Sequence, residues 1–564
     1  MSTLVINAKA LLRTLISKSI NTAIKKGLLE NLNITDYSIQ IPPDKNHGDF
    51  AVNVALINAK NFKMAPRKFA EILTSNLDLS DTYFKKFEIA GPGFINFFLS
   101  QDFYSEVILD VTQKKELYGT SDYGKAKKIN VEFVSANPTG PMHIGNARGG
   151  ALGDGIAALL NAAGFISHKE FYINDAGNQI ERFAVSLECR YLQLFKSEDE
   201  IPFPEDGYHG EDIKQNAKEF YEKFGDKYLN CDTEERRKAL TDFALPRNIN
   251  ALKKDLERYR ISYDTWFNES TLHNNGELKE TMNIMKEKNL TYEKDGALWY
   301  KASEHGGSKD EVLIRANGHP TYFAADIAYH RNKLLLRGFD KSIDIWGADH
   351  HGHIERLRGA LNAISLDGSR FQVVLMQLVK LIKDGETVRI SKRTGKAITL
   401  STLLDEIPVD AARFFFNMRE PNSQMEFDLN LAASQSSQNP VYYVQYAHAR
   451  ICSIIRALEE ENIKIRKCTV AELNQLSSPE ETALIKHIST LTEEIIKSAV
   501  NYDPSNITHY IYELATLFHK FYNSHRVKGE EKSLLQARLN LCYATKTVLS
   551  NVLTILKIDA PEKM

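Results

Sequence analysis

A loop of small and polar residues between a predicted strand and a predicted helix has the composition of a phosphate-binding site. The strand is predicted at 129–134, the loop at 137–145 and a glycine-rich helix at about 147–163. The amino end of a helix offers free N–H groups and a positive dipole to a phosphate, and small residues let the ligand approach the backbone. His143 would add a donor for phosphate oxygens. Taken alone, this composition is also typical of tight packing between a helix and a strand.

A basic loop follows the last strand predicted for the same domain. Residues 389–395 read Arg-Ile-Ser-Lys-Arg-Thr-Gly. Lys392 carries a positive charge that could contact a phosphate group. A basic loop by itself is typical of solvated surface. Its place in the chain after His143 favours a second phosphate contact.

Two side chains on another predicted helix could bind a planar cation. Tyr322 and Asp326 are four residues apart and therefore share one helix face. A carboxylate can pair with a guanidinium through two parallel hydrogen bonds, which an ammonium cannot imitate. In isolation, such a pair is also typical of an exposed helix surface.

A histidine-rich segment follows the strand predicted at 342–346. Residues 347–353 read Gly-Ala-Asp-His-His-Gly-His, and three histidines with an aspartate could form a metal site. Their spacing puts no complete ligand set on one helical face. The segment would lie at the carboxyl edge of a sheet, where ligands bind, so a role in ligand binding is the better interpretation.

Residues 137–146, Asn-Pro-Thr-Gly-Pro-Met-His-Ile-Gly-Asn, resemble the HIGH signature of class I aminoacyl-tRNA synthetases. Asn146 stands where the signature has its second histidine, but an amide can still donate a hydrogen bond. The wider segment 131–141 is similar to the arginyl branch in particular. Residues 389–395 resemble the KMSKS loop, with Arg389 in place of the first lysine.

The resemblance implies an arginine–tRNA ligase. Such an enzyme activates L-arginine with ATP, releases pyrophosphate and transfers arginine from the adenylate to the 3′ end of tRNA(Arg). The expected cofactor is Mg²⁺ bound with ATP, and no zinc or other protein-bound metal is expected. The site residues implied are His143, Asn146 and Lys392 for catalysis; Pro138, Gly140, His143, Gly145, Asn146, His350, Ser391 and Lys392 for ATP; and Glu132, Ser135, Asn137, Tyr322, Asp326 and Asp349 for arginine.

The elements that must position these residues predict an α/β fold. Strands and helices alternate from about 129 to 378, and a helical period continues after 409. The resemblance implies a Rossmann-type parallel-sheet catalytic domain, an N-terminal α/β added domain and a C-terminal all-α bundle. The expected units are 1–115, 125–400 with a mainly helical insertion at about 200–310, connecting helices at 401–436, and 437–564.

The two outer units would bind tRNA(Arg). By the same resemblance, Phe94 would stack on a base of the tRNA elbow and Asn96 would contact its edge. Tyr446 and Arg450 belong to a group of aromatic and basic residues that would hold the anticodon. Aromatic residues at helical spacing are also typical of a core.

The composition excludes some classes of protein. With 71 basic and 73 acidic residues, the net charge of −2 argues against non-specific coating of nucleic acid, although basic patches can be local. The five cysteines are scattered and indicate a reducing, cytoplasmic location, and no apolar run is long enough for a membrane span. The basic start, 1–29, could be a transit peptide, but its apolar stripe favours a helix packed on the domain that follows. A monomer is expected.

Three alternatives remain. Another class I synthetase, such as a cysteinyl or class I lysyl enzyme, is disfavoured by the absence of cysteine zinc ligands and by the N-terminal domain. A non-catalytic tRNA-binding paralogue is disfavoured by the presence of His143 and Lys392. A small nucleotidylyltransferase would share the HIGH-like loop but lack the long helical C-terminal region.

Overall fold

The structure is a computed structural model that describes residues 4–42, 44–388 and 398–564. The basic loop at 389–395, and with it the predicted contacts of Ser391 and Lys392, lies outside the described residues. Helices and strands are numbered separately in chain order.

The N-terminal unit is an antiparallel sheet backed by helices. Its elements are α1 (Leu4–Lys25), β1 (Ile39–Gln40), β2 (Phe50–Val52), α2 (Val54–Asn58), α3 (Pro66–Thr74), β3 (Phe84–Ala90), β4 (Phe94–Leu99) and α4 (Gln101–Lys114). The strands lie in the order β1-β2-β4-β3, and all neighbours are antiparallel. Gly91 and Gly93 adopt positive φ in the turn between β3 and β4, a conformation that glycine tolerates without strain.

The basic start of the chain is a helix packed on this unit. Leu12, Leu15, Ile16 and Ile20 of α1 are buried and form the apolar stripe that the sequence predicts. Lys9 on the same helix forms an ion pair of 2.7 Å with Glu493 near the far end of the chain. Among the described residues, no helix combines the length and apolar character needed to cross a bilayer.

A five-stranded parallel sheet forms the centre of the molecule. Its strands are β5 (Lys128–Glu132), β6 (Ile166–Ile173), β7 (Thr265–Asn268), β11 (Lys341–Gly347) and β12 (Phe371–Met376), in the order β12-β11-β5-β6-β7. The chain passes outward through β6 and β7 and then returns to place β11 on the other side of β5. Ligands bind outside the carboxyl ends of the strands at such a reversal, which here lies between β5 and β11.

The helix after the HIGH-like loop packs directly against the sheet. This helix, α5 (Ile144–Ala162), is buried along most of its length. A Cβ atom built on Gly153 would lie 2.1 Å from the Phe133 side chain, so only glycine permits this approach. The small residues of α5 therefore have a role in packing the helix closely against the sheet.

Residues 200–310 contain four helices and three short strands. They include α7 (Glu211–Phe224), α8 (Thr233–Arg258), α9 (Glu269–Asn274), α10 (Glu277–Glu287), β8 (Thr291–Lys294) and β9 (Ala297–Tyr300), preceded by α6 (Asn178–Leu192). β7 lies within this range and pairs with β6 as the edge strand of the central sheet. β8 and β9 form a separate antiparallel sheet with β10 (Glu311–Ile314), so short strands accompany the helices that make up most of the regular structure of this range.

The helices that matter most for the site follow this small sheet. They are α11 (Tyr322–Arg331), which runs from β10 toward β11, and α12 (His351–Ala363), which joins β11 to β12. After β12 come β13 (Val379–Lys383), β14 (Glu386–Thr387), α13 (Leu400–Glu406), α14 (Val409–Asn417), β15 (Met425–Asp428) and α15 (Leu429–Ala433).

The chain ends in a helical bundle. Its helices are α16 (Pro440–Glu460), α17 (Val470–Leu473), α18 (Pro479–Ser489), α19 (Leu491–Val500), α20 (Ser505–Ser524) and α21 (Lys532–Ile555). Arg413 of α14 is fully buried, donates to the Leu556 carbonyl after α21 and pairs with Asp154 of α5 at 2.7 Å. Arg413 therefore links the end of the bundle, through a hydrogen bond, to α5, through a buried ion pair.

Candidate active site

The HIGH-like loop ends in a reciprocal cap on α5. The Gly145 N–H donates to Nδ1 of His143 over 3.1 Å, and the His143 N–H donates to Oδ1 of Asn146 over 3.0 Å. Asn146 therefore closes the capping box that fixes the direction of the helix start. The start of the loop is also held, since Asn248 of α8 donates to the Pro138 carbonyl.

Glu132 lies at the carboxyl end of β5, beside this loop. Its Oε2 accepts from Nζ of Lys333 over 2.6 Å, and its Oε1 accepts from the Ser135 hydroxyl over 3.0 Å. The Ser135 hydroxyl in turn accepts the Tyr172 N–H. Burial raises the pKa of Glu132 above its usual range, against the opposing charge of Lys333. Asn137, the third predicted residue of this group, is exposed in the loop.

Lys333 is a fully buried ammonium shared by two carboxylates. Besides Glu132 it contacts Asp344 of β11 at 3.1 Å, and Asp344 also faces His330 at 3.0 Å. Burial by itself would lower the pKa of Lys333, but the two carboxylates outweigh burial and raise it. Each charge in such an ion pair offsets the cost of burying the other. Removing one partner therefore leaves an uncompensated buried charge.

Tyr322 and Asp326 lie on one face of α11, as their spacing predicts. Tyr322 is half exposed at the wall of a cavity of about 350 Å³, which is also lined by Glu269 and Arg315. Burial, with nearby Asp326 and Asp175 adding to it, raises the pKa of Glu269 to about 7. Two carboxylates therefore stand near each other beside a tyrosine, an arrangement suited to a bulky cation.

Glu269 is a functional candidate that sequence reasoning missed. It starts α9 directly after β7, and its Oε2 accepts the Tyr172 hydroxyl over 2.9 Å. Asp175 accepts from both the side chain and the N–H of Ser270 and so fixes the first turn of α9. Sequence reasoning did not predict β7. Without this strand, nothing indicated that Glu269 lies at the carboxyl edge of the sheet, where ligands bind.

The histidine-rich segment 347–353 has an exposed part and a part that contacts the candidate site. Asp349 and His350 are exposed and lie 3.7 Å apart after β11, with no contact to Tyr322 or Asp326 recorded among the described residues. His353, three residues further, instead reaches Asp326 over 2.7 Å. The residue of this segment that contacts the candidate cation site is therefore one that sequence reasoning did not select.

The predicted tRNA contacts differ in accessibility. Phe94 is half-buried, whereas Asn96 is buried within β4 and its Oδ1 has no hydrogen-bond partner among the described residues. On α16, the Arg450 guanidinium lies over the rings of Tyr446 at 5.7 Å and Tyr522 at 4.8 Å. Aromatic and cationic groups that remain partly exposed in this way can stack with unpaired bases.

The fold and this edge of the sheet define the catalytic domain of a class I aminoacyl-tRNA synthetase. Residues 107–455 match the family described as tRNA synthetases class I (R), catalytic domain. Residues 11–99 match the arginyl tRNA synthetase N terminal domain, and residues 444–564 match the DALR anticodon binding domain. The chain belongs to the arginyl-tRNA synthetase family.

Full-length relatives agree with this membership. The chain is 54% identical over 564 residues to an arginine–tRNA ligase of Caldanaerobacter subterraneus subsp. tengcongensis, with 100% of both chains covered. It is 52% identical, with the same coverage, to an arginine–tRNA ligase of Acetivibrio thermocellus. The fold is similar to that of Thermus thermophilus arginyl-tRNA synthetase, with a TM-score of 0.74, 22% identity and coverage of 98% of this chain and 100% of that chain.

Proposed function

We propose that this enzyme is an arginine–tRNA ligase that recognises arginine through Asp326, Glu269 and Tyr322. It activates L-arginine with ATP to arginyl-adenylate and pyrophosphate, and then transfers arginine to the 3′ end of tRNA(Arg). The observation that carries the proposal is the pair of carboxylates beside Tyr322 at the carboxyl edge of the sheet. A guanidinium can satisfy two carboxylates at once because its five donors lie in one plane.

The α-amino end of arginine would bind at β5. Glu132 and Ser135 are already hydrogen-bonded to each other, and Glu132 retains oxygen lone pairs beyond the one that Lys333 uses. Asn137 would donate from the exposed loop. Tyr172 connects this end to the carboxylates, because its N–H donates to the Ser135 hydroxyl and its own hydroxyl donates to Glu269. Asp349 remains a proposed contact that would require movement of its exposed segment.

The ATP end would be formed by the loop before α5. Small residues at Pro138, Gly140 and Gly145 leave room for the nucleotide, and His143 lies at the amino end of α5, where the helix dipole favours phosphate. The Asn146 side chain holds this loop, so its contribution would include positioning as well as donation. His350, Ser391 and Lys392 complete the proposed ATP contacts, with Lys392 stabilising charge on pyrophosphate.

Further properties follow as parts of the same proposal. Mg²⁺ would arrive with ATP and be held by the phosphates; the described residues contain no group of three or more metal-ligating side chains. The N-terminal unit would contact the tRNA elbow through Phe94 and Asn96, and α16 would contact the anticodon through Tyr446 and Arg450. The enzyme would work in the cytoplasm as a monomer.

The substitution Asp326→Asn tests arginine recognition. It keeps the size of the side chain and the hydrogen bond from His353 but removes the negative charge. We expect the KM for arginine in tRNA charging to rise by about 10²-fold or more, with little change in the KM for ATP, because a charged hydrogen-bond partner of the guanidinium is lost. A variant that charges tRNA at unchanged arginine KM would show that this pocket does not bind the side chain.

A further inference from the structure

Asp326 is held by two histidines that come from different helices. His353 of α12 places Nε2 at 2.7 Å from Oδ2 of Asp326. His330, one turn further along α11, places Nδ1 at 2.8 Å from the Asp326 carbonyl oxygen. The partners on the far side of each ring differ, and they determine which ring nitrogens carry protons.

The partner of His353 is a cation that can only donate. Nη2 of Arg356 lies 2.9 Å from Nδ1 of His353. Arginine has no acceptor, so Nδ1 must present its lone pair, and the single ring proton must sit on Nε2. His353 is therefore a neutral donor to Asp326. Arg356 is itself anchored by an ion pair with Glu311 of β10.

His330 has the opposite arrangement. Its Nδ1 faces the Asp326 carbonyl and its Nε2 faces a carboxylate oxygen of Asp344 at 3.0 Å. Both partners are acceptors, so both ring nitrogens must donate and the ring must be an imidazolium. Both rings contact Asp326, so the difference comes from the second partner of each ring. Arg356 can only donate to His353, whereas Asp344 can only accept from His330.

We propose that Arg356 and His353 are positioning residues for arginine recognition, in which Arg356 keeps His353 neutral so that Asp326 stays available as an anion. The proposal rests on the assignment of Asp326 to the substrate guanidinium. A neutral Nε2–H orients one carboxylate oxygen without cancelling the charge. A protonated His353 would instead form an ion pair with Asp326 and compete with the substrate cation.

The groups around His353 leave Arg356 as its controlling charge. Asp326 faces it from α11, Arg356 lies on its own helix, and Glu311 of β10 acts through Arg356. The rings of Phe323 and Trp346 flank it at 5.6 and 5.5 Å and do not titrate. Among the described residues, Glu269 forms no hydrogen bond or ion pair with His353 but interacts electrostatically with Asp326, and this effect is common to wild type and to variants of Arg356.

The test is the substitution Arg356→Met, which preserves much of the length but removes the donors. Initial rates of tRNA charging give kcat and the KM for arginine between about pH 6 and pH 8, the range in which ordinary imidazoles titrate. We expect the ratio of variant to wild-type KM for arginine to rise about tenfold toward the acid end, the effect of one charge-assisted contact. The corresponding ratios for kcat and for the KM of ATP should stay constant.

Three further variants distinguish the relay, by which we mean the action of Arg356 on Asp326 through His353, from a general loss of structure. In His353→Gln combined with Arg356→Met, the amide can donate to Asp326 but cannot titrate, so the acid-side rise should disappear. Arg356→Lys keeps a cationic donor and should keep the wild-type profile. Arg358→Met removes a neighbouring arginine of α12 that pairs with Glu355, and it should match wild type at every pH.

The outcomes are distinguishable. A flat KM ratio in folded Arg356→Met protein, or an acid-side rise that persists in the double variant, overturns the relay. If Arg356→Met does not fold, Glu311→Gln weakens the same contact, and a flat ratio there overturns the proposal equally. Normal charging by Asp326→Asn would overturn the arginine pocket itself, whereas loss in Asp326→Asn with a flat Arg356→Met profile removes only the relay.

Discussion

The buried lysine that contacts Glu132 of the proposed arginine site provides a quantitative test of the structure. Lys333 is fully buried and contacts Glu132 at 2.6 Å and Asp344 at 3.1 Å, so Lys333→Met leaves two carboxylates that share one desolvated space. Removing one partner of a buried ion pair typically costs about 3–5 kcal/mol. We expect a loss of this size, which is a large share of the stability of an ordinary domain at about 5–15 kcal/mol.

The loss should depend on pH with a defined sign. Burial raises the pKa of Glu132, and the Lys333→Met substitution removes the strongest charge that opposes this rise. The folded variant then binds a proton that the unfolded chain releases, so its free energy of unfolding falls as pH increases above the ordinary glutamate pKa of about 4.3. The deficit relative to wild type should therefore be smaller at about pH 5.5 than at about pH 7.5.

Tryptophan fluorescence during urea unfolding is the suitable assay. The three tryptophans are Trp266, Trp299 and Trp346, and all lie within the range that matches the catalytic domain. Lys380→Met is a matched control, because Lys380 pairs with Glu426 at an exposed site where such a pair contributes about 0–1 kcal/mol. Glu132→Gln combined with Lys333→Met should recover part of the loss. A Lys333→Met midpoint equal to that of the control at both pH values would refute the reasoning.

Three other predictions concern activity. Lys392→Ala should lower kcat by about 10²–10³-fold with a much smaller change in the KM for ATP; a pure KM effect would contradict its role in the transition state. Because burial raises the pKa of Glu269 to about 7, wild-type affinity for arginine should improve as pH rises through 7, and Glu269→Gln should abolish this dependence, as the KM for arginine against pH will show. Tyr446→Ala should raise the KM for tRNA without changing the KM for arginine or ATP, and an unchanged tRNA KM would contradict the proposed anticodon surface.

Local patterns predicted the parts of the site that depend on local geometry. The strand, loop and helix around His143 are predictable because a strand and a glycine-rich helix with a polar loop between them have few possible arrangements. Tyr322 and Asp326 share a face because helical spacing decides it. The strand at 341–347 was likewise expected from its apolar run.

The rest depends on contacts between distant segments. β7 has only four residues, too few for a clear alternation, and its absence from the sequence interpretation concealed Glu269. Lys333 lies in a π-helical turn at 332–336, whose wider spacing no pattern of 3.6 residues predicts. His353 acquires its role because α12 packs beside α11, and spacing within 347–353 contains no information about that neighbour.

The central claim is that this enzyme activates arginine. ATP–pyrophosphate exchange measured with each of the twenty amino acids, in the presence and absence of tRNA(Arg), tests it most directly. We predict that arginine is the only amino acid that supports exchange. The family resemblance predicts that this exchange requires tRNA. Lysine is the critical comparison, because it shares the positive charge but not the planar donors that Asp326 and Glu269 would bind. Exchange supported by lysine or another amino acid, or none with arginine in the presence of tRNA(Arg), would contradict the account.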